Sequence, residues 1–369
     1  MTSLWHQKSI LSEKNKDTMK SSSLRSIASQ LKAKSFHPPF YLKNFHKQTL
    51  AGILFNSYKT KKIPTTKRIY LHIDKKTSIA LDCSLQSYPT KKPLLILVHG
   101  MEGSSDSHYM LRMAVKSFNL GWSTIRVNLR SCGNTEPYAQ SIYNAGQSQD
   151  INKIINYCIK NKYNKIMLVG FSLGGNICLK LAGEYGKKFP KQIIGIAAVS
   201  PALDLAASEK LIDSPKSNFY RVFLLNSLKK RIKRMALVNP CIYNPALFKK
   251  IKTIKDFDAA FQVPLLKLKN VSEFYKKASA VSQIPKIALP ALIIHAHDDP
   301  IAPISPLKRP EILHNKNIIA LLTKNGGHVG FISKPSLQED KYWAENRVLE
   351  FFAFLLKPVS TQLAHNLLL

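Results

Sequence analysis

Acidic residues are scarce in this chain: 22 Asp and Glu stand against 55 Lys and Arg in 369 residues, a formal net charge of +33. Taken alone, the imbalance suggests weak electrostatic association with polyanions or an anionic membrane face through a basic tail and a basic insertion described below, but lysines spread over solvated surfaces are the favoured reading. No DNA- or RNA-binding motif accompanies it, so specific nucleic-acid binding is not expected. The densest cluster, "LKKRIKRM" (228–235), is where an anionic partner would bind. Long apolar runs are also missing. "PLLILVHG" (93–100) and "ALII" (291–294) fall far short of the roughly 20 residues that span a bilayer. The opening "MTSLWHQKSILSEKNKDTMK" has neither the apolar core nor the small-residue cleavage site of a secretory signal, and Met19 is a second candidate start. Five scattered cysteines without a C-x-x-C pair argue against a disulfide framework or a zinc ribbon. Reduced thiols in a cytoplasmic setting are the expectation.

What is present is a globular composition, 45% hydrophobic, enough for one large core or a core with an insertion. Residues 1–35 are rich in Ser, Lys and Gln and read as a mobile basic tail, with a single domain over 36–357 and a short C-terminal tail at 358–369. "RIYLHI" (68–73) and "SIALDCSL" (78–85), parted by "DKKT", predict an antiparallel hairpin. Six apolar runs follow, at 94–100, 123–129, 165–170, 193–200, 291–296 and 318–322. Such near-continuous runs mark strands buried on both faces of a parallel sheet. Helical periodicity lies between them at 107–118, 148–160 and 175–185, and again at 342–356. The alternation predicts a doubly wound, mostly parallel α/β sheet. Residues 201–286 interrupt it with a long basic and aromatic helical stretch, suited to a cap over a site.

The chemistry begins at "KIMLVGFSLGGN". A serine on a sharp strand-to-helix turn has its hydroxyl exposed, and the residues two before and two after must be small for the turn to close. Here Gly170 and Gly174 flank Ser172 in that way. A serine hydroxyl is a weak nucleophile until a base takes its proton. His328 in "LLTKNGGHVGF" is the candidate base, on a loop that Gly326 and Gly327 free to turn. His37, His46, His108 and His314 have no comparable setting. An oxyanion would need the backbone N–H of Leu173 and a second donor from an earlier strand end, where "LVHGMEGSS" offers Met101. His99 and Glu102 shape that loop at most.

"HAHDDP" (295–300) admits two readings. His295, His297 and Asp299 repeat an H-x-H-x-D metal spacing, but Pro300 follows where a further histidine would be needed, and a zinc site requires three placed ligands with support behind them. No metal or other cofactor is expected. The segment also lies between Ser172 and His328 at a strand end, where the acid of a triad belongs. Two aspartates compete. Asp299 is preferred because Asp before Pro starts a type I turn that carries the carboxylate past the strand, whereas Asp298 ends the strand.

With these residues in hand, the sequence resembles the YheT-like branch of the α/β-hydrolases. The likeness runs in order through "FHPPFYLKNFHKQTL" (36–50), "HGMEGSSDSHY" (99–109), "VNLRSCG" (127–133), "YNAGQSQDI" (143–151), "GFSLGGN", "KTIKDFDAAF" (252–261), "EFYKKASA" (273–280), "HAHDDP" and "GGHVGF". It departs at Met101, where the branch usually has Leu. The resemblance implies an α/β-hydrolase fold and serine hydrolysis of carboxylic esters, a small-molecule substrate, and a triad at Ser172, Asp299 and His328. Membrane anchoring, carried in some relatives by an N-terminal hydrophobic segment, is not implied. Acyl transfer or peptide cleavage could use the same triad, and a binding protein on the same fold is the third reading.

Overall fold

The computed structural model describes residues 24–54 and 64–356. The remainder of the expected N-terminal tail and the C-terminal tail at 358–369 lie outside the described residues.

The expected hairpin forms from β1 (Lys67–Asp74) and β2 (Thr77–Ser84). It continues into β3 (Leu94–Val98), β4 (Ser123–Val127), β5 (Ile166–Phe171), β6 (Ile193–Val199), β7 (Ala291–Ala296) and β8 (Ile318–Thr323), each within two residues of its apolar run. They make one sheet in the order β1-β2-β4-β3-β5-β6-β7-β8. Only the β1–β2 and β2–β4 pairings are antiparallel.

Alternation along each strand sends its residues into two separate cores. Leu94, Ile96 and Val98 of β3 join one, while Leu95 and Leu97 join the other. Helices α4 (Ser148–Lys160) and α5 (Leu173–Tyr185) close the first face, and α3 (His108–Asn119) and α9 (Trp343–Leu356) close the second. Because both faces are covered, every residue of β3, β4, β5 and β7 is buried. The sequence marks one apolar face on α5, yet all of Leu173–Gly183 is buried. This helix crosses the middle of the sheet beneath other layers, so it has no solvent side to keep polar.

One expectation is corrected. Residues 24–33 are not a mobile tail but a helix, α1, which places Leu24, Ile27 and Leu31 in the second core. Trp343 Nε1 donates to the Lys34 carbonyl at 2.8 Å, and Lys34 Nζ pairs with Glu350 at 2.8 Å. Spacing i, i+3, i+7 is a helical face, which the Ser- and Lys-rich composition masked.

The insertion between β6 and β7 is helical: α6 (Leu205–Ile212), α7 (Asn218–Val238), a short stretch over 254–265, and α8 (Val271–Ala278). It has an apolar core of its own, centred on Leu225, Ile232, Met235, Phe257 and Phe261. A further short helix, α2 (Phe45–Leu54), precedes the hairpin.

Candidate active site

Strands β3 and β5 are neighbours, and the chain leaves them toward opposite edges of the sheet. Crevices for ligands open at the carboxyl ends of strands where the order reverses in this way. Ser172 follows β5 there, and the loop from His99 follows β3.

Ser172 has φ +51°, a left-handed conformation that L-residues seldom adopt. The strain is held by its N–H, which donates to the Val199 carbonyl at 2.9 Å, and by its carbonyl, which accepts from Asn176 N at 3.1 Å as the first bond of α5. Small flanks are obligatory: a Cβ on Gly170 would stand 2.3 Å from the Gly174 carbonyl oxygen.

From Ser172 a line of hydrogen bonds runs inward. Its hydroxyl is 2.8 Å from His328 Nε2, and His328 Nδ1 is 2.8 and 3.0 Å from the two carboxylate oxygens of Asp299. A carboxylate only accepts, so Nδ1 carries the proton and Nε2 is left to accept from Ser172. Asp299 is buried, and its Oδ1 also accepts from the N–H groups of Ile301 and Ala302, both at 2.9 Å. Burial pushes this carboxyl upward, but the facing His328 imidazole, its hydrogen bond, His295 and the Ala302 amide together hold it below the ordinary range.

Asp298 points elsewhere. It accepts from Gly327 N at 2.9 Å and from Asn325 Nδ2 at 3.3 Å, so it fastens the loop that carries His328. Burial raises its carboxyl. Gly327 has φ +59°, and a Cβ there would lie 2.6 Å from the Phe45 carbonyl oxygen. Two further anchors went unread in the sequence. Thr49 of α2 accepts from His328 N at 2.9 Å, and Ser200 accepts from Val329 N at 3.0 Å. Thr49 lies within one of the stretches that carry the family resemblance; nothing local marks Ser200.

The loop after β3 closes over the serine, since a Cβ on Gly100 would stand 3.1 Å from Ser172 Cβ. Met101 and Leu173 line the cavity beside Ser172. As the first residue of α5, Leu173 has no intrahelical acceptor for its N–H. His99 pins the loop: Nε2 accepts from Leu129 N at 3.1 Å, so Nδ1 donates to the Gly100 carbonyl at 2.7 Å. Burial lowers this imidazole to about 4, which keeps it neutral. Gly100 N and Glu102 N donate to Tyr109 Oη and Tyr143 Oη at 3.0 and 2.8 Å.

The cavity above Ser172 holds about 410 Å³ and is roofed by the cap. Leu205, Ile212, Leu224, Leu228 and Phe257 make its roof largely apolar, with Glu209, Asp258, Gln262 and Tyr275 among the polar residues that also line it. His108 also lines it, although the sequence offered no role for that residue. His295 turns away, with Nε2 donating to the Ala302 carbonyl at 3.0 Å, so the H-x-H-x-D spacing does not converge. Among the described residues no three His, Cys, Asp or Glu side chains gather to hold a metal.

A strand-to-helix serine on an eight-stranded sheet of this order defines an α/β-hydrolase, and the family model described as alpha/beta hydrolase fold matches residues 93–335. The chain belongs to that family. Within it the chain is YheT-like: it is 28% identical over 331 residues to the YheT protein of Escherichia coli (strain K12), covering 88% of this chain and 95% of that one. The monoacylglycerol lipase of Saccharomyces cerevisiae (strain ATCC 204508 / S288c) is 31% identical over 256 residues, covering 66% of this chain and 56% of the lipase. Among solved structures, an esterase of Pyrococcus furiosus, Pf2001, shares the fold with a TM-score of 0.52 at 16% identity, over 80% of this chain and 96% of the esterase.

Proposed function

We propose that this hydrolase cleaves carboxylic esters of short to medium acyl chains through an acyl-enzyme. One observation carries the reading: the unbroken line Ser172 Oγ, His328 and Asp299 at 2.8 to 3.0 Å, opening on an apolar cavity. In this reading His328 Nε2 takes the Ser172 proton as Oγ attacks the ester carbonyl, and the N–H groups of Met101 and Leu173 receive the oxyanion. Protonated His328 then gives its proton to the departing alkoxide. Water, deprotonated by the same imidazole, releases the acid and restores Ser172. Asp299 keeps the tautomer and steadies the imidazolium, and its depressed carboxyl supports that role. No cofactor is required by these steps.

The names of the bacterial and yeast relatives, an esterase and a lipase, support ester chemistry here. Four of the five cysteines are buried as free thiols, which supports a reducing compartment such as the cytoplasm.

The test is covalent labelling of the folded protein with a fluorophosphonate, together with turnover of p-nitrophenyl esters of increasing chain length. Labelling that disappears in Ser172→Ala, with rates lower by roughly 10⁶-fold, is the expected result. Retained labelling or turnover in that variant overturns the assignment. Turnover in the presence of a competing alcohol or amine reads directly whether water or another nucleophile resolves the acyl-enzyme.

A further inference from the structure

Helix α7 has two contrasting faces. Tyr220, Leu224, Leu228, Arg231, Ile232 and Met235 turn inward. A surface helix ordinarily presents polar residues outward. Here Phe219, Val222 and Phe223 are 59, 48 and 53% exposed, and in the last turn Leu237 is 87% exposed. On the same outer face, between these apolar groups, lie the exposed cations Lys230 and Lys233. No carboxylate offsets them within the segment, since residues 214–250 contain nine Lys and Arg and no Asp or Glu. Arg231 and Arg234 are engaged, with Glu102 and Glu136, so part of the basic cluster is structural.

The geometry points to this outer face of α7 as a docking surface for an anionic lipid bilayer. Aromatic and aliphatic side chains flanked by lysines are the composition of an interfacial helix, whose apolar groups enter the headgroup boundary while cations meet anionic lipid. The position on the molecule fits. Phe223 is half exposed and also lines the cavity over Ser172, so the same face borders the route into the site. Tyr220, the next inward residue, is stacked on His46 of α2 and lines the cavity as well. An amphiphile leaving a bilayer at Phe219 and Phe223 would therefore enter directly. Single-stranded nucleic acid, the other polyanion, is bound along basic grooves with aromatic stacking platforms. The outer face of a helix carrying Val222 and Leu237 is the poorer match. The inference concerns binding, so it stands apart from whether Ser172 is the nucleophile.

The experiment is sedimentation of the full chain with sucrose-loaded vesicles of phosphatidylcholine, with and without about one-third phosphatidylserine. Binding to the anionic vesicles only, weakening as salt rises, is expected. Lys230→Glu/Lys233→Glu should weaken it roughly 20-fold or more, since each lysine at an anionic surface accounts for about fivefold. Val222→Ser/Leu237→Ser should weaken it at low salt too, while fluorophosphonate labelling and melting temperature stay at the parent values, because neither residue lines the cavity or is buried. Equal binding of neutral and anionic vesicles, unchanged binding by the charge-reversed pair, or binding of a single-stranded oligonucleotide but not of vesicles would each overturn the proposal.

Discussion

Arg231 of the cap donates from Nε to Glu102 Oε1 at 2.8 Å, and only 4% and 10% of the two side chains are exposed. The pair joins α7 to the loop that carries Met101, across 129 positions of sequence. Tyr143 donates to the same Glu102 oxygen at 2.9 Å, and Arg231 Nη1 also donates to the Ser131 carbonyl. Glu102 itself sits at φ +57°, so the contacts also hold a strained turn. Deleting one member of such a pair leaves the other charged and buried. Arg231→Met is therefore expected to lower stability by roughly 3 kcal/mol, and Glu102→Gln by a comparable amount. The double variant should recover part of the summed loss. Urea unfolding of the parent and three variants reads the coupling, and strict additivity would show that the pair is not coupled.

The two aspartates of "HAHDDP" divide their work between His328 and the loop that carries it. Asp299→Asn is expected to lower kcat by about 10⁴-fold, because an amide in that place favours the wrong imidazole tautomer. Asp298→Asn retains an oxygen that can accept from Gly327 N, so its cost should stay near fivefold, the worth of one modest hydrogen bond. Steady-state kinetics on one activated ester ranks the two. A larger loss for Asp298→Asn would mean that Asp298, not Asp299, is the acid that supports His328.

The sheet was legible because both its faces are covered, so each strand shows as a continuous apolar run that no amphipathic helix imitates. The elbow was legible for a steric reason, since Gly170, Ser172 and Gly174 must be close in sequence. His328 and Asp299 could be placed by chain order and by the loops around them. Arg231, Thr49 and Ser200 could not, because their roles exist only where distant segments meet. Arg231 even read as part of a surface cluster, and only folding shows that it is buried against Glu102. Helix α1 was missed for another reason: three apolar residues among Ser and Lys satisfy a helix only when a core stands ready to receive them.

Asp258 carries a pH dependence. Protein surrounds its carboxyl and pushes it up from 3.8 to about 7, with Glu209 and Asp213 adding to the rise and the Tyr275 hydroxyl, 2.9 Å away, opposing it. Lys255 lies near the Glu209 carboxyl of the same cluster. The folded chain thus keeps a proton that the unfolded chain releases above about pH 4. More protons on the native state means that stability falls as pH rises from about 4 to about 7, then levels. Asp258→Asn removes the titration yet can still accept from Tyr275. Its melting temperature should match the parent near pH 4 and exceed it near pH 8. Equal melting temperatures at the higher pH would show that Asp258 ionises in the folded protein at its ordinary value.

Leu31 tests whether the N-terminal helix belongs to the domain. Its side chain is fully buried in the core shared with Trp343, Val348 and Phe352. A mobile segment would tolerate its loss, because a residue that is equally solvated in both states contributes nothing to the difference between them. A packed one would not. Leu31→Ala removes buried methyl groups and leaves a cavity between α1 and α9, for which the cost runs from about 2 to about 5 kcal/mol. Lys32, one position on, faces solvent, and Lys32→Ala should change stability by less than about 0.5 kcal/mol. Chemical denaturation of the two variants separates the cases. If Leu31→Ala proves as mild as Lys32→Ala, α1 is not part of the cooperative core.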